Sequence, residues 1–207
     1  AGSKYSYIEI LNSFEAREAD VLIGTQMVAK GLNFPAVTLV GIVNADTGLY
    51  MPDFRASERT FQIITQVAGR SGRADYPGEV IIQTSNPEHY AIVAASKGNY
   101  LEFFSKEMKV RKKMLYPPYS RMVRLIFSGR EEDKLDFITK TAVLALGKHI
   151  EYVDKIRIVG PTLAPLSRVR GYYRMHIVLW SKLEVYLRKA VEIITGSIVE
   201  LDKGKQI

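Results

Sequence analysis

Helical apolar spacing and short unbroken apolar runs take turns along the first half of the chain. Residues 5 to 19 place Ile8, Leu11 and Phe14 one turn apart with polar residues between, which predicts a helix ending near Asp20. Val21-Leu22-Ile23 is wholly apolar, the pattern of a strand buried on both faces in a parallel sheet. Val37, Leu39, Val40, Ile42 and Val43 repeat it within 36–44, and a third strand is expected over Glu79 to Thr84. Between the last two, Gly48 to Asp53 is a turn-rich loop holding Pro52, and Phe54 to Ala68 reads as a helix. Asp53 is placed to cap it, with Phe61, Ile64 and Val67 as its core stripe and Arg55, Glu58, Arg59 and Gln62 on the polar side. Glu58 is expected to pair with a neighbouring arginine. The result is α/β alternation with a mostly parallel sheet.

The second half has a different grammar. His89 to Lys113 predicts two helical segments broken near Gly98-Asn99, with Leu101, Phe104, Met108 and Leu115 on an apolar face and His89 as a solvated loop residue. Met122 to Phe127 alternates as a strand, and Glu131 to His149 is an amphipathic helix with Leu135, Ile138, Ala142 and Ala145 inward. Ile156 to Val159 and Tyr172 to Trp180 read as strands, followed by a helix from Leu183 to about Glu200. The order β-α-β-β-α is that of a small α+β domain, ferredoxin-like or related, which needs one more strand to be complete. A sheet edge is then expected to stand unpaired, open to pairing with a second copy. The predicted boundary lies near Pro117, giving domains over 4–116 and 117–207.

Composition narrows the class. At 207 residues and 47% hydrophobic the chain can bury real cores, and with no cysteine it has neither disulfides nor thiolate metal sites. Three scattered histidines argue against an all-histidine metal site. No apolar run is long enough to span a bilayer and no basic-then-apolar leader is visible, so a cytoplasmic protein without membrane contact is expected. Charge is unevenly placed: residues 1 to 97 hold 8 Lys/Arg against 10 Asp/Glu, whereas residues 98 to 207 hold 21 against 12. A basic half joined to a near-neutral half suits a polyanion, most simply nucleic acid, although lysine-rich solvation of helices gives the same total.

Three clusters carry candidate chemistry. At the end of the 54–68 helix, Gln66, Arg70 and Arg73 fall at i, i+4 and i+7 if the helix continues, so an amide and two guanidiniums would share a face suited to an anion. The same residues also fit a plain helix end, with arginines favouring the negative dipole and Gly72 as a stop. At the C-terminal ends of the first two expected strands sit Gly24, Thr25 and Gln26, then Lys30-Gly31, and Asp46, where ligands of open α/β sheets bind; an ordinary threonine cap explains Thr25 equally well. The third cluster is basic and aromatic. Residues 106 to 124 contain seven Lys/Arg, Lys112 and Lys113 among them, against one acidic residue, around an extended Tyr116-Pro117-Pro118-Tyr119 linker. Arg168, Arg170 and Arg174 surround Gly171 with Tyr172-Tyr173 on a hairpin loop spanning 160 to 174. Both stretches could hold a single strand by phosphate pairing and stacking, or serve as a domain junction and a basic surface loop.

The ordered series Gly24-Thr25-Gln26-Met27-Val28-Ala29-Lys30-Gly31, Asp46, Pro52-Asp53-Phe54-Arg55-Ala56-Ser57-Glu58-Arg59 and Gln66 to Arg73 resembles the second, RecA-like motor lobe of superfamily 2 helicases, in particular the bacterial replication-restart DNA helicases. The resemblance covers roughly residues 5 to 115, and the remainder fits that family's C-terminal region. It implies that Arg70 and Arg73 belong to the sixth helicase motif and reach the γ-phosphate of ATP. Gln66 would begin that motif, and Thr25, Lys30 and Gly31 would match the fifth, which couples nucleotide state to the strand. Forked or single-stranded DNA, primosome proteins and single-strand-binding proteins are the implied partners, and ATP with magnesium the implied cofactors. The chain departs from the family in having no G-x-x-x-x-G-K-[ST] loop, no acidic magnesium motif and no cysteine-rich zinc module. A partial lobe, inactive alone and completed by other regions of a longer protein, is therefore expected.

Overall fold

The computed structural model describes residues 4–25, 34, 36–69, 78–149 and 154–203. The chain divides into two units, residues 1–108 and 109–207, each with its own core.

In the first unit, α1 (Lys4–Glu15) is followed by β1 (Leu39–Ile42), the single turn α2 (Asp46–Leu49), α3 (Ala56–Ala68), β2 (Glu79–Ile82), α4 (Tyr90–Ser96) and α5 (Tyr100–Met114). β1 and β2 pair in parallel, from Leu39 opposite Glu79 to Ile42 opposite Ile82. Helical spacing put Phe61, Ile64 and Val67 on one side of α3, and all three are buried there. Phe61 stacks on Phe103 of α5 with ring centroids 4.3 Å apart, and Ile42 and Ile82 close the same cluster from the sheet.

The strands are less buried than their composition predicts. In both, every second residue is exposed, because the helices cover one face only. Val21-Leu22-Ile23 is not a strand at all: Val21 is 72% and Ile23 89% exposed in irregular backbone. An apolar run becomes a buried strand only when neighbours pair with it, and among the described residues the parallel sheet consists of β1 and β2 alone.

The buried side of α5 also differs from the expected one. Leu101 is 76% exposed and Phe104 and Leu115 are exposed, whereas Phe103 and Glu107 are buried. Glu107 can lie inside because the Tyr90 hydroxyl donates to its carboxylate at 2.6 Å. Nor is His89 a solvated loop residue. It caps α4, its Nδ1 accepting from the Ala91 backbone N–H at 3.2 Å, and its ring stacks on Tyr90.

Burial holds the His89 imidazole below the usual histidine range, with Glu107 pulling the other way. Its neutral form is the one that accepts the cap bond. A lowered folded pKa means that the unfolded chain takes up the proton first, so stability is highest above the unfolded value of about 6.5 and falls as pH drops through the folded one. Urea midpoints measured from pH 8 to 5 should decline, and His89→Asn, which keeps a cap acceptor without the proton, should flatten part of that decline. An unchanged slope in His89→Asn would remove the cap from the explanation.

The second unit contains β3 (Arg121–Gly129), α6 (Glu132–Gly147), β4 (Arg157–Val169), β5 (Tyr172–Ser181) and α7 (Glu184–Lys203), in the β-α-β-β-α order that the pattern predicts. The sheet is antiparallel with order β3-β5-β4, so β3 is an edge strand among the described residues. Val123, Leu125, Phe127, Ile158, Ile177 and Leu179 join Ala142 and Leu146 of α6 and Leu187, Ala190 and Ile194 of α7 in one core. The inward stripe of α6 is Leu135, Thr139, Ala142 and Leu146. Thr139 enters it because its hydroxyl bonds back to the Leu135 carbonyl at 2.9 Å and leaves a methyl for packing.

Between α5 and β3 the chain makes a tight turn where an extended linker is predicted. Tyr116 N–H donates to Arg111 O, Tyr119 N–H to Tyr116 O, and the Ser120 hydroxyl to Leu115 O, with the Pro117-Pro118 bond cis. Local hydrogen bonds close the turn despite the missing proline donors.

Candidate functional site

At the C-terminal edge of the parallel sheet, the Asp46 carboxylate ties the two strand ends together. Oδ1 accepts from the Thr84 hydroxyl at 2.6 Å, and Oδ2 accepts from the Ser85 N–H and hydroxyl, both at 2.7 Å. These bonds, Thr84 foremost, hold its carboxyl below the usual carboxylate range. Its position past the strand end is as the sequence predicts, but its oxygens already serve the protein. Among the described residues no group of three or more His, Asp or Glu side chains could hold a metal ion.

Next to it, Gly48 allows α2 to lie against α3, since a Cβ there would stand 2.8 Å from the Thr60 hydroxyl. Asp53 lies at the start of α3, accepting from the Arg55 N–H at 3.0 Å and pairing with Arg59 at 2.9 Å. Gln62 donates to the Glu58 carboxylate at 3.3 Å.

α3 ends at Ala68, with the Gly69 N–H donating to Thr65 O at 3.1 Å, and Gln66 is exposed in its last turn. Arg70 and Arg73 lie outside the described residues, as do Gln26, Lys30 and Gly31. Gly24 and Thr25 are exposed in irregular backbone.

The basic-aromatic cluster of the second unit is described almost in full. β4 runs on to Val169, so what reads as a long loop in the sequence is mostly strand. The reversal itself is the two-residue turn Arg170-Gly171, with φ of 50° and 84°. Two successive positive φ values match the right-handed twist of a tight hairpin, and Gly171 meets the second without strain.

Pairing then sets Arg168 opposite Tyr173, and the Arg168 guanidinium lies 4.9 Å from the Tyr173 ring centroid. Arg174 sits opposite Ser128 on β3. Arg130, which sequence reading did not single out, stacks at 5.5 Å from the Tyr172 ring and reaches its hydroxyl at 3.4 Å. It lies 42 residues from Tyr172, and only strand pairing brings the two together. Arginines held over tyrosine rings at a hairpin tip can direct N–H groups to phosphate. Lys112 and Lys113 are exposed in the last turn of α5, where cations also favour the helix dipole.

A helicase conserved C-terminal domain matches residues 3–75, and a primosomal protein N C-terminal domain matches 112–198. Together they define the class: a helicase C-terminal domain followed by a primosomal protein N C-terminal domain. The chain belongs to the family of the replication restart protein PriA. It is 42% identical to that protein from Bacillus subtilis (strain 168) over 190 residues, covering 89% of this chain and 23% of the relative. The Chlamydia pneumoniae protein is 54% identical over 127 residues (61% of this chain, 17% of the relative), and that of Treponema pallidum (strain Nichols) 42% over 171 (83% and 26%). The chain thus spans about a quarter of the length of most such relatives. No helix of the described residues is long and apolar enough to cross a membrane.

Proposed function

We propose that this chain is the C-terminal part of an ATP-dependent DNA helicase that recognises stalled or forked DNA and starts primosome assembly for replication restart, in the cytoplasm. Residues 4–116 are a partial RecA-like second lobe. Arg70 and Arg73, introduced by Gln66, face the γ-phosphate of ATP held elsewhere in the longer protein, and Gly24, Thr25, Lys30, Gly31 and Asp46 line the coupling edge. Magnesium and the phosphate loop come from regions outside this chain, as does any zinc module, and other primosome and single-strand-binding proteins are partners of the longer protein. Residues 117–207 are a small α+β DNA-binding domain, ferredoxin-like or related. Support for that label comes from the β3-β5-β4 order with α6 and α7 in a single core.

The observation that carries the nucleic-acid reading is the hairpin tip, where Arg168 and Arg130 lie on Tyr173 and Tyr172 beside Arg170 and Arg174. The chain should bind forked or single-stranded DNA with an affinity that falls steeply with salt, each neutralised phosphate adding about 0.7 to the log–log slope on a single strand. Arg168→Ala with Arg170→Ala should weaken binding irrespective of base sequence and lower the slope by about 1 to 2. Anisotropy titrations at 50 and 200 mM salt check this, and binding that ignores salt would overturn it.

The competing reading is a non-catalytic module whose arginines only hold phosphate backbone. It predicts a longer protein without DNA-stimulated ATP hydrolysis. A robust DNA-stimulated rate from this chain alone would contradict the partial-lobe reading.

A further inference from the structure

The hairpin joining β4 and β5 carries cations on both of its faces. Met175, Ile177 and Leu179 of β5 are buried, and Met175 meets the Thr139 hydroxyl of α6 at 3.6 Å, so the odd positions of this strand face the helices. Tyr173 shares that side, and Arg168, its cross-strand partner, lies over its ring. Tyr172 and Arg174 alternate onto the open side, where Val169 stands opposite Tyr172. The Arg130 guanidinium rests over the Tyr172 ring, just past Gly129, the last residue of β3 to pair. Arg170 occupies the turn between the two faces.

A single phosphate backbone crossing a surface touches only one side of a ribbon. Guanidinium–tyrosine contacts on opposite sides, with Arg170 at the apex, suit a ligand that offers an anionic wall to each side of the tip. Duplex DNA does so, because two backbones border each of its grooves. Thickness selects the groove. A sheet layer with its side chains is about 10 Å thick, which the major groove, about 12 Å wide, admits and the minor groove, about 6 Å wide, does not. Depth agrees: the Val169–Tyr172 pair and the turn reach roughly 7 Å beyond the end of β3 at about 3.3 Å per residue, against a groove about 8.5 Å deep. The carboxylates at this end of the unit leave both walls accessible. Glu131 is paired with Lys134 at 2.9 Å, and Glu132 and Asp133 start α6 after β3, whereas Arg168 stands on β4, across β5 from that edge.

We propose that this hairpin enters the major groove of duplex DNA tip first, with Arg168 pairing to phosphates of one strand and Arg130 and Arg174 to those of the other. The groove contact rests on the DNA-binding reading above and names the part of forked DNA that the hairpin meets, a paired arm. Phosphate contacts of this kind fix the position of the hairpin on the duplex without reading its sequence.

Binding of a labelled duplex of about 20 base pairs, two helical turns, should therefore need both faces. In anisotropy titrations over a salt series, Arg130→Ala and Arg168→Ala should each lower the log–log slope by about 0.9, and the double variant by about 1.8, with unchanged circular dichroism spectra. A duplex whose cytosines carry glucosylated 5-hydroxymethyl groups keeps its phosphates but has a filled major groove, and it should bind roughly fivefold more weakly or worse.

A slope that responds to one or neither of the two arginines would take the DNA off the second face and overturn the groove contact. Equal affinity for plain and glucosylated duplexes would do the same, as would binding of single-stranded oligothymidine with none of the duplex. Each of these leaves DNA binding itself standing, whereas failure to bind any DNA at low salt would overturn the underlying reading.

Discussion

Alanine at Arg70 or Arg73 in the full-length protein is expected to lower DNA-stimulated ATP hydrolysis by about 10³ to 10⁵ while DNA affinity stays nearly constant. Charge spreads over the equatorial oxygens of the γ-phosphoryl group as it transfers, and a guanidinium placed there stabilises the transition state more than bound ATP. The local sequence supports that placement. α3 is anchored by the buried Phe61, Ile64 and Val67 and ends at Ala68, so in sequence the two arginines follow directly on a packed helix. Lysine at either position should restore little, because a point charge lacks the planar fork. Steady-state hydrolysis with and without DNA, beside anisotropy on the same variants, separates the readings. Intact hydrolysis with lost DNA binding would favour the non-catalytic module.

Gly160→Ala should destabilise the second unit by about 2–4 kcal/mol, a fall in melting temperature of roughly 10 °C or more. Gly160 has φ of 102°, and a Cβ there would lie 2.5 Å from the His176 carbonyl oxygen of β5. Both partners are backbone, so no side chain can move aside. The register shift between Val159 and Thr162 depends on this close approach, and with it the position of the basic hairpin beyond. Gly196→Ala is the contrast. It lies inside α7 with open space at its Cβ, and replacing it should stabilise by about 0.5–1 kcal/mol. Thermal unfolding of both variants checks the pair, and a neutral Gly160→Ala would refute the argument.

Legibility followed the range of the interactions concerned. Spacing within one helix was enough for Phe61, Ile64 and Val67, and the strand-helix order of the second unit was readable from alternation and turn residues. α5 was misread by one position because a buried glutamate looks polar until Tyr90, seventeen residues away, is known to satisfy it. His89 had no partner histidine or cysteine nearby, yet the N–H it accepts is only two residues on, so a capping search could have found it. Nothing local could single out Arg130, which meets Tyr172 only through strand pairing.

By itself, the sequence determined the alternating elements, the basic bias of the second half and the ordered motifs that place the chain in its family, all properties of residues a few positions apart. Only the tertiary structure decided which strand faces are covered, which donors the Asp46 oxygens meet, and which arginines lie over Trp180 and the tyrosines. A period of two says that a strand has two faces. Which of them meets helices and which meets solvent depends on partners distant in the chain.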